Sequence, residues 1–537
     1  MNYGFVIDNR KCIGCHACTV ACKSEHDIPV GVNRTHVKYV ERGVFPDTRR
    51  TFTVTRCNHC EDAPCVTICP TSSLFKRVDG IVDFDSDRCI GCRSCMQACP
   101  YDALYIDPAT HTAAKCNYCA HRIEYGYEPA CVIVCPVEAI VSGDLDDPES
   151  KISRLVGRER VSVRKPEKGT VPNVFYVGGD YAALDPSQAQ PLSSYLFTNQ
   201  AAGVGHHAED VEDSLSRAAD EGLYLPVLSD SQARSSVLPI SQKAIDDVKQ
   251  ELETPKGAAR RVYDAPDKGV LWGWQVPAYI WTKAVATGTF LMMAAAGIWS
   301  RPLAQGVETA SLITCLLFLV LTGALLIHDL NRPDRFLYVL LRPNWTSWLV
   351  RGAYILLGFG AVVALMLLSQ IQGWPTLAGG LRIPGFILAL LGSLYTAFLF
   401  AQAKGRDLWQ SALAPVRMFN QALMAGSVTL MLLQPALFPL AAKFLVYLIG
   451  LNLAVLVLEV TMPLASAEAA AARRILLGGE CRFFFLAGLI LGSVLPLIVF
   501  LWGEAPILGS GAGVLVLAGI FLTEYAWVRA PQLFPLS

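Results

Sequence analysis

Cysteine is concentrated near the start of this chain, and the spacing of these residues indicates metal chemistry. Sixteen of the eighteen cysteines lie within the first 135 residues. They form four groups, each with three closely spaced thiols and a fourth that ends the run: Cys12, Cys15, Cys18 and Cys22; Cys57, Cys60, Cys65 and Cys69; Cys89, Cys92, Cys95 and Cys99; Cys116, Cys119, Cys131 and Cys135. Three groups are followed directly by proline, at Pro70, Pro100 and Pro136.

This spacing is typical of iron–sulfur clusters. In the run Cys-x2-Cys-x2-Cys-x3-Cys-Pro, three thiolates hold one 4Fe–4S cluster and the fourth reaches a second cluster. The first and third groups keep this spacing, and the other two have a longer gap before the third cysteine. A zinc site needs only four thiolates, usually as two separated pairs, and crowded thiols without a secretory leader disfavour disulfides. We therefore expect four 4Fe–4S clusters, which together form a relay for single electrons.

Composition divides the chain into a polar first half and an apolar second half. The 537 residues exceed one domain, and 53% of them are hydrophobic, which is high for a soluble chain of this size. We predict a double ferredoxin-like 4Fe–4S domain of α+β class in residues 1–185, a polar linker in 186–268 and an all-α membrane domain of eight helices in 269–537. Strands are expected at Val161–Val163 and Val174–Val177, and a short linker helix at Ser241–Glu253. The net charge of −1 gives no sign of nucleic-acid binding.

The second half contains one apolar stretch after another. A bilayer core about 30 Å thick needs about 20 apolar residues in a helix. Eight windows qualify, near 277–299, 308–328, 346–368, 384–402, 415–434, 438–462, 482–502 and 506–528. The fifth is the weakest, because Arg417 and Asn420 interrupt its start.

Loop charges predict the orientation of these spans. With eight spans, both ends of the membrane domain lie on one side, and that side holds most of the basic residues: Lys256, Arg260, Arg261, Lys268, Arg332, Arg335, Arg342, Lys404, Arg406, Arg473, Arg474 and Arg482. The opposite loops hold only Arg301 and Arg382, with Lys443 just inside the sixth span. Because cytoplasmic loops are enriched in Lys and Arg, we expect an inner-membrane protein whose cluster domain faces the cytoplasm. Met1–Arg10 has no apolar core and no twin arginine, so the alternative is export on a partner's signal.

Two parts of the chain resemble known subunits. Residues 1–185, from Tyr3-Gly4-Phe5-Val6-Ile7-Asp8 through Cys12-Ile13-Gly14-Cys15-His16-Ala17-Cys18, resemble the four-cluster electron-transfer subunit of the complex iron–sulfur molybdoenzyme family. Residues 270–530 resemble the NrfD-type membrane subunit of polysulfide reductase, and Asp329-Leu330-Asn331-Arg332-Pro333-x-Arg335-Phe336 is the most recognisable motif. The two modules are usually separate chains, so their fusion here fixes a one-to-one ratio.

The resemblance also implies how the cysteines pair. It implies that Cys135 completes the first group's cluster and Cys22 the fourth group's, and that Cys99 and Cys69 are exchanged between the second and third groups in the same way. It further implies that the first cluster faces a catalytic subunit and the third lies nearest the membrane. Some relatives replace a third-group cysteine and hold three irons, whereas this chain keeps Cys92, which favours four irons.

Ionisable residues inside a bilayer are costly and usually functional. Six polar residues fall in the half of the predicted spans that faces the clusters: Lys283, His328, Asp329, Tyr395, Glu459 and Glu524. A quinone needs a hydrogen-bond donor or proton source at each carbonyl and an apolar slot for its tail, so these residues are the candidates for a quinone site. Each also has a structural alternative, such as a helix-end ion pair or an interfacial aromatic.

Other cofactors are not expected. A b-type haem normally takes two histidines at membrane depth, and His328 is the only histidine after residue 207. The chain shows no nucleotide, flavin or molybdenum-pterin motif, so no catalytic residue is expected in it and a molybdenum or tungsten-pterin subunit is the predicted partner. The predicted function is electron transfer between that partner and the quinone pool in the membrane lipid. Alternatives are a proton- or ion-translocating complex and a quinone reductase fed by a soluble ferredoxin.

Overall fold

The fold is described by a computed structural model, which covers residues 1–43, 46–191, 259–265, 268–298, 303–464, 466–502 and 506–537. The helix expected at Ser241–Glu253 lies outside these residues. The described chain consists of an α+β part that carries the sixteen clustered cysteines, called the cluster domain below, and a helical part, called the membrane domain.

The strands of the cluster domain form four small sheets within the described residues. The strands are β1 (Tyr3–Asp8), β2 (Thr35–Arg42), β3 (Arg49–Arg56), β4 (Leu74–Lys76), β5 (Val82–Phe84), β6 (Leu104–Ile106), β7 (Ala113–Lys115), β8 (Ile140–Asp144), β9 (Val161–Ser162), β10 (Val174–Val177), β11 (Ala189–Pro191) and β12 (Ala259–Tyr263). The sheet orders are β8-β1-β10-β9, β11-β12-β2-β3, β4-β5 and β6-β7, and β1 runs parallel to β10. The strands predicted near 161 and at 174–177 are confirmed as β9 and β10.

Strand β1 is covered on both faces, which explains its unbroken apolar run. Side chains alternate across a strand, so Phe5 and Ile7 enter the core beside the cysteine loops while Val6 points the other way. The Val6 face is covered by Ile152 of helix Lys151–Arg158. Ser150 caps this helix by accepting a hydrogen bond from the Ser153 N–H at 3.2 Å.

Short helices follow the cysteine loops. They are α1 (Ala17–Glu25), α2 (Pro64–Ile68), α3 (Ser94–Ala98), α4 (Ala120–Ile123), α5 (Ala130–Ile133), α6 (Lys151–Arg158) and α7 (Tyr181–Leu184). Helix α1 packs against α5, and α2 packs against α3. The domain is therefore built as two halves, one around the first and fourth cysteine groups and one around the second and third.

The first and third cysteine loops share one backbone shape. Gly14 (φ 72°) and His16 (φ 59°) in the first loop correspond to Gly91 (φ 68°) and Arg93 (φ 59°) in the third. Residues rarely adopt positive φ without a requirement for it. The repeated conformation curls each loop so that its three thiols face the same space.

Long helices make up the membrane domain. They and the short helices between them are α8 (Gln275–Ile298), α9 (Gln305–His328), α10 (Tyr338–Leu341), α11 (Trp348–Ile371), α12 (Pro375–Gln402), α13 (Ala414–Leu433), α14 (Phe438–Thr461), α15 (Ala467–Gly478), α16 (Arg482–Leu489), α17 (Leu495–Trp502) and α18 (Pro506–Arg529). A π-helical turn at Ile490–Val494 joins α16 to α17. All eight predicted windows coincide with helices, although α12 begins nine residues before its window.

Seven helical segments of the described chain are long and apolar enough to cross a membrane, and α8 is not one of them. Helix α8 has 24 residues, but it is packed among α9, α12, α13 and α18. Because protein rather than lipid surrounds it, it can carry Lys283 and several threonines. The multi-pass architecture is confirmed, and the count of eight spans stays a prediction.

Candidate functional site

The geometry of the cluster domain brings together the cysteines of two different groups at each site. In the first half, one small cavity is lined by Cys12, Cys15, Cys18 and Cys135. The thiol of Cys22 instead interacts electrostatically with three thiols of the fourth group, Cys116, Cys119 and Cys131. The last cysteine of each group has therefore crossed to the other group, as the resemblance implied.

The second half repeats this exchange. Cys99 lies in electrostatic contact with three thiols of the second group, Cys57, Cys60 and Cys65. Cys69 in turn joins three thiols of the third group, Cys89, Cys92 and Cys95. In the described residues, no three His, Cys, Asp or Glu side chains converge closely enough to hold a single metal ion. Four thiols around a shared space fit the separate corners of an iron–sulfur cluster better than one tetrahedral zinc.

The charge environment of these thiols favours a cationic metal cluster. Burial raises the pKa of Cys92 to about 12 and that of Cys57 to about 11, so their thiolate forms need a positive partner. The buried Arg56 donates from Nη1 to Cys131 Sγ at 3.0 Å, and its guanidinium lies 4.4 Å from the Phe5 ring centroid. Its Nε and Nη2 have no partner among the described protein atoms. These free donors fit the sulfide acceptors that an iron–sulfur cluster supplies.

The third cysteine loop docks directly on the membrane domain. Arg93 Nη2 donates to Asp329 Oδ1 at 2.7 Å, and the Asn331 N–H donates to the Gly91 carbonyl at 3.3 Å. A Cβ atom at Gly91 would lie 2.5 Å from the Cβ of Asn331, so only glycine fits this contact. The motif that begins at Asp329 thus forms the surface on which the third cysteine loop docks.

Further hydrogen bonds hold the cysteines of this loop in place. Arg335 Nη1 donates to the Cys89 carbonyl at 3.2 Å, and Trp272 Nε1 donates to the Cys92 carbonyl at 3.2 Å. Asn344 Nδ2 donates to the Cys69 carbonyl at 2.8 Å. Residues of the membrane domain therefore bind the backbone of the third group and of Cys69 directly.

A large apolar cavity, called the membrane cavity below, begins at this loop. Its volume is about 620 Å³, and most of its walls are apolar, with the largest contributions from α9 and α11. Its polar lining residues are Cys92, Ser94, Trp272, Tyr279, Asp329 and Tyr395. Val320 and Leu357 line it and are also exposed on the outer surface of the helices. The cavity therefore joins the third cysteine loop to the region that lipid would occupy.

The structure divides the six predicted quinone residues. Asp329 and Tyr395 line the membrane cavity. Lys283 lies behind Tyr395, with its Nζ 4.5 Å from the ring centroid and 2.5 Å from Thr396 Oγ1. His328 does not line the cavity, and its ring lies 6.4 Å from that of Trp274.

Glu459 and Glu524 belong to a separate buried group with Arg417. Arg417 Nε lies 3.0 Å from Glu459 Oε2, and its Nη1 pairs with Glu524. All three side chains are at most 1% exposed. Sequence reasoning treated Arg417 only as a break in the fifth window and missed Tyr279. The available signal was charge balance, since a lone arginine in one apolar window needs a carboxylate from another.

Together, the fold and the site define a multi-pass membrane protein built for iron–sulfur electron transfer. Family models agree: residues 48–145 match a 4Fe-4S dicluster domain, residues 10–30 a 4Fe-4S binding domain, and residues 265–535 the family "Polysulphide reductase, NrfD". The protein belongs to this NrfD family, with the iron–sulfur domain fused in front of its membrane domain.

Similar proteins match the cluster domain. It is 46% identical over 195 residues to the B subunit of tetrathionate reductase from Salmonella typhimurium, and this match covers 35% of this chain and 78% of that protein. It is 43% identical to the B chain of polysulfide reductase from Wolinella succinogenes, over 33% of this chain and 93% of that protein. It is 37% identical to the arsenate respiratory reductase iron-sulfur subunit ArrB of a Shewanella species, over 33% and 96% respectively.

Proposed function

We propose that this chain carries electrons between a catalytic partner subunit and the quinone pool, through four 4Fe–4S clusters held by its sixteen amino-terminal cysteines. Bound clusters supply the one-electron chemistry, and the protein supplies their spacing and surroundings. The exchanged fourth cysteines and the free donors of Arg56 support this ligation.

The observation that carries the proposal is the membrane cavity that Cys92 shares with Asp329 and Tyr395. At these two residues a quinone carbonyl can accept a hydrogen bond from the Tyr395 phenol, and a quinol hydroxyl can donate to the Asp329 carboxylate, which is ion-paired with Arg93. Its tail fits the aliphatic walls and leaves past Val320 and Leu357. Electrons then pass between the quinone head and the cluster held by the third cysteine group, because Cys92 of that group lines the same cavity.

Substitution of Tyr395 tests this site. Tyr395→Phe removes the phenol donor but keeps the ring, so we expect electron exchange between quinol and the clusters to slow about tenfold or more, as for one lost hydrogen bond of about 1.5 kcal/mol. Cluster reduction by dithionite should stay at the parent rate. Tyr447→Phe is the control, because Tyr447 is 76% exposed on the outer surface of α14.

Asp329→Asn probes the second group, with Asp334→Asn as its control in the same loop. Asp334 pairs with Arg332 at the surface rather than lining the cavity. A parent rate of quinol oxidation in both Tyr395→Phe and Asp329→Asn, with intact clusters, would place the quinone site elsewhere.

The proposed partner is a molybdenum or tungsten-pterin subunit, because the similar proteins are subunits of tetrathionate, arsenate respiratory and polysulfide reductases. The surface around the first cysteine group is suited to docking it. Cys15 is exposed there, and the same half of the domain exposes four apolar side chains, on the first loop, α1 and the end of α5: Ile13, Val20, Ile133 and Val134. Exposed apolar patches commonly mark protein interfaces.

A charge placed in this patch should prevent docking. In a complex purified through a tag on this chain, Ile13→Glu should lower the yield of the co-purifying partner at least several-fold while the clusters remain. Val171→Glu is the matched control, because both residues are 55% exposed and Val171 lies in the other half, next to Glu61. If no large subunit co-purifies with the parent chain and it reduces quinone from ferredoxin alone, the ferredoxin-fed alternative is correct.

We also propose that the cluster domain faces the cytoplasm from the inner membrane. Several of the basic residues on that side bind the cluster domain, as Arg335 and Arg406 do across the interface. Three others, Arg342, Arg474 and Arg482, show no hydrogen bond or ion pair with the described part of the cluster domain. They support the cytoplasmic side, because basic residues are enriched in cytoplasmic loops.

A further inference from the structure

The buried group around Arg417 lies between two cavities. On one side is the membrane cavity. On the other is a second cavity of about 620 Å³, called the interdomain cavity below, which lies between the cluster domain at Lys168 and the membrane domain at Asp407 and Glu459. Glu459 lines the interdomain cavity.

The members of this group retain unused hydrogen-bonding capacity. Arg417 and Glu524 are fully buried, and Glu459 as a whole residue is 5% exposed. Even so, Arg417 Nη2, Glu459 Oε1 and Glu524 Oε2 have no hydrogen-bond partner among the described protein atoms. A buried ion group is weak support for stability, and buried polar atoms are normally paired. Free donors and acceptors in such a group therefore favour a role that uses water or protons.

The group also connects to the membrane cavity. Glu524 lies within electrostatic range of Lys283 and Tyr279. Lys283 hydrogen-bonds Thr396 Oγ1 at 2.5 Å and lies against the Tyr395 ring. Tyr279 and Tyr395 line the membrane cavity. Ionisable side chains thus follow one another from the membrane cavity to the interdomain cavity.

The described helices offer no comparable series toward the opposite face. Asn452 lies partway along α14. From its level to the face far from the cluster domain, the described parts of α8, α13, α14 and α18 contain no buried acidic or basic side chain. Near that face Glu308 is paired with Arg382 at 2.8 Å. The buried charges therefore reach only the side that carries the cluster domain.

We propose that Lys283, Glu524 and Glu459 form a proton route between the membrane cavity and the interdomain cavity, with Arg417 positioning the two carboxylates. This inference rests on the proposed quinone site. Oxidation of one quinol releases two electrons and two protons; the electrons leave one at a time through the cluster beside Cys92, and the protons leave through Glu524 and Glu459 to the interdomain cavity. Quinone reduction takes up two electrons and two protons along the same routes. Proton exchange and electron exchange then occur on the same side of the membrane.

The test compares Glu459→Gln with Glu308→Gln in the full chain in liposomes, with a quinol as donor and ferricyanide as final oxidant. Loss of a proton-transferring carboxyl should slow quinol oxidation by a factor of about 100, and Glu459→Asp should restore part of the rate. Glu308→Gln should keep the parent rate. A pH dye should report proton release on the side of the cluster domain.

Binding of a quinone analogue separates this inference from the quinone site itself. The analogue should perturb the spectrum of the cluster beside Cys92 equally in the parent and in Glu459→Gln, because Glu459 does not line the membrane cavity. Absence of that perturbation in the parent would overturn the quinone site. A normal perturbation with parent-rate oxidation in Glu459→Gln, or proton release on the opposite side, would overturn the proton route.

Discussion

At the scale of single residues, Gly352 determines where the Tyr395 ring can lie. A Cβ atom at Gly352 of α11 would overlap the ring of Tyr395 on α12. The ring therefore packs against bare backbone at the position where Tyr395 lines the membrane cavity. The absence of a side chain on one helix positions a polar side chain on the next.

Gly352→Ala should therefore displace Tyr395 and weaken binding of a quinone analogue about tenfold, the equivalent of about 1.4 kcal/mol. Gly358→Ala on the same helix is the matched control. Its Cβ would meet only Leu388 at 3.6 Å, an ordinary contact, and both changes give the same gain in helix propensity. Equal affinities of the two variants in a titration would show that the Tyr395 position does not matter for binding.

The polar residues were predictable from sequence only one by one. Four of them, Lys283, Tyr395, Glu459 and Glu524, stand out because each interrupts an apolar window, and Asp329 stands out because it directly follows one. Their division into a cavity lining and a buried ion group depends on helix packing, which hydropathy does not encode. Arg417 was misjudged for the same reason: in an isolated window it is a defect, whereas in the bundle α13 is 72% buried and the charge is paired.

At the scale of elements, strand β12 fastens the far end of the predicted linker to the cluster domain. It pairs antiparallel with β2, and Lys38 of β2 lies 2.8 Å from Asp264 just after β12. His36 of β2 stacks on Tyr263 of β12, with ring centroids 5.1 Å apart. The chain is thus paired with the cluster domain just before it enters the membrane domain.

Acid should weaken this junction through His36. Burial lowers the pKa of His36 to about 4, with Asp264 opposing the shift and Lys38 and His16 adding to it. In the unfolded chain His36 takes up a proton near pH 6.5, whereas in the folded chain it stays neutral down to about pH 4. The contribution of His36 to the free energy of unfolding is therefore complete above pH 6.5 and falls by up to about 3 kcal/mol as the pH drops toward 4.

Thermal loss of cluster absorbance at pH 7 and pH 5 measures this effect. His36→Phe keeps a ring against Tyr263 but cannot be protonated, so it should reduce the drop in melting temperature between the two pH values. An unchanged drop in His36→Phe would mean that other groups cause the acid sensitivity.

Elements differ in how well the sequence predicted them. The membrane helices were located to within a few residues, because about 20 apolar residues in a row have few other uses. The exception is the start of α12. The predicted window begins at Pro384, whereas the helix begins at Pro375 and contains Pro384 at an interior position. Strand β12 was not foreseen, since five residues in a polar segment form a strand here only by pairing with β2 and β11.

At the scale of the whole molecule, the basic residues on the cluster side have two uses. Lys268 binds Asp102 at 2.7 Å, and Arg406 binds Gln97 at 2.9 Å, so these charges join the two domains. A count of loop charges attributes all of them to the membrane orientation. A basic residue that binds the cluster domain has a reason to be basic other than membrane orientation. Only the remaining basic residues therefore indicate on which side of the membrane the cluster domain lies.

Labelling of single introduced cysteines measures that orientation directly. Gln372 follows α11 at the end far from the cluster domain, and Glu480 lies between α15 and α16 on the cluster side; both are exposed. We expect a membrane-impermeant maleimide to label Gln372→Cys in intact cells and Glu480→Cys only after the cells are opened. The parent chain serves as background, because Cys15 is the one exposed residue among its eighteen native cysteines. The reverse pattern would put the cluster domain outside the cytoplasm, which requires export together with a partner, and proton release by the route through Glu459 would then occur on that outer side.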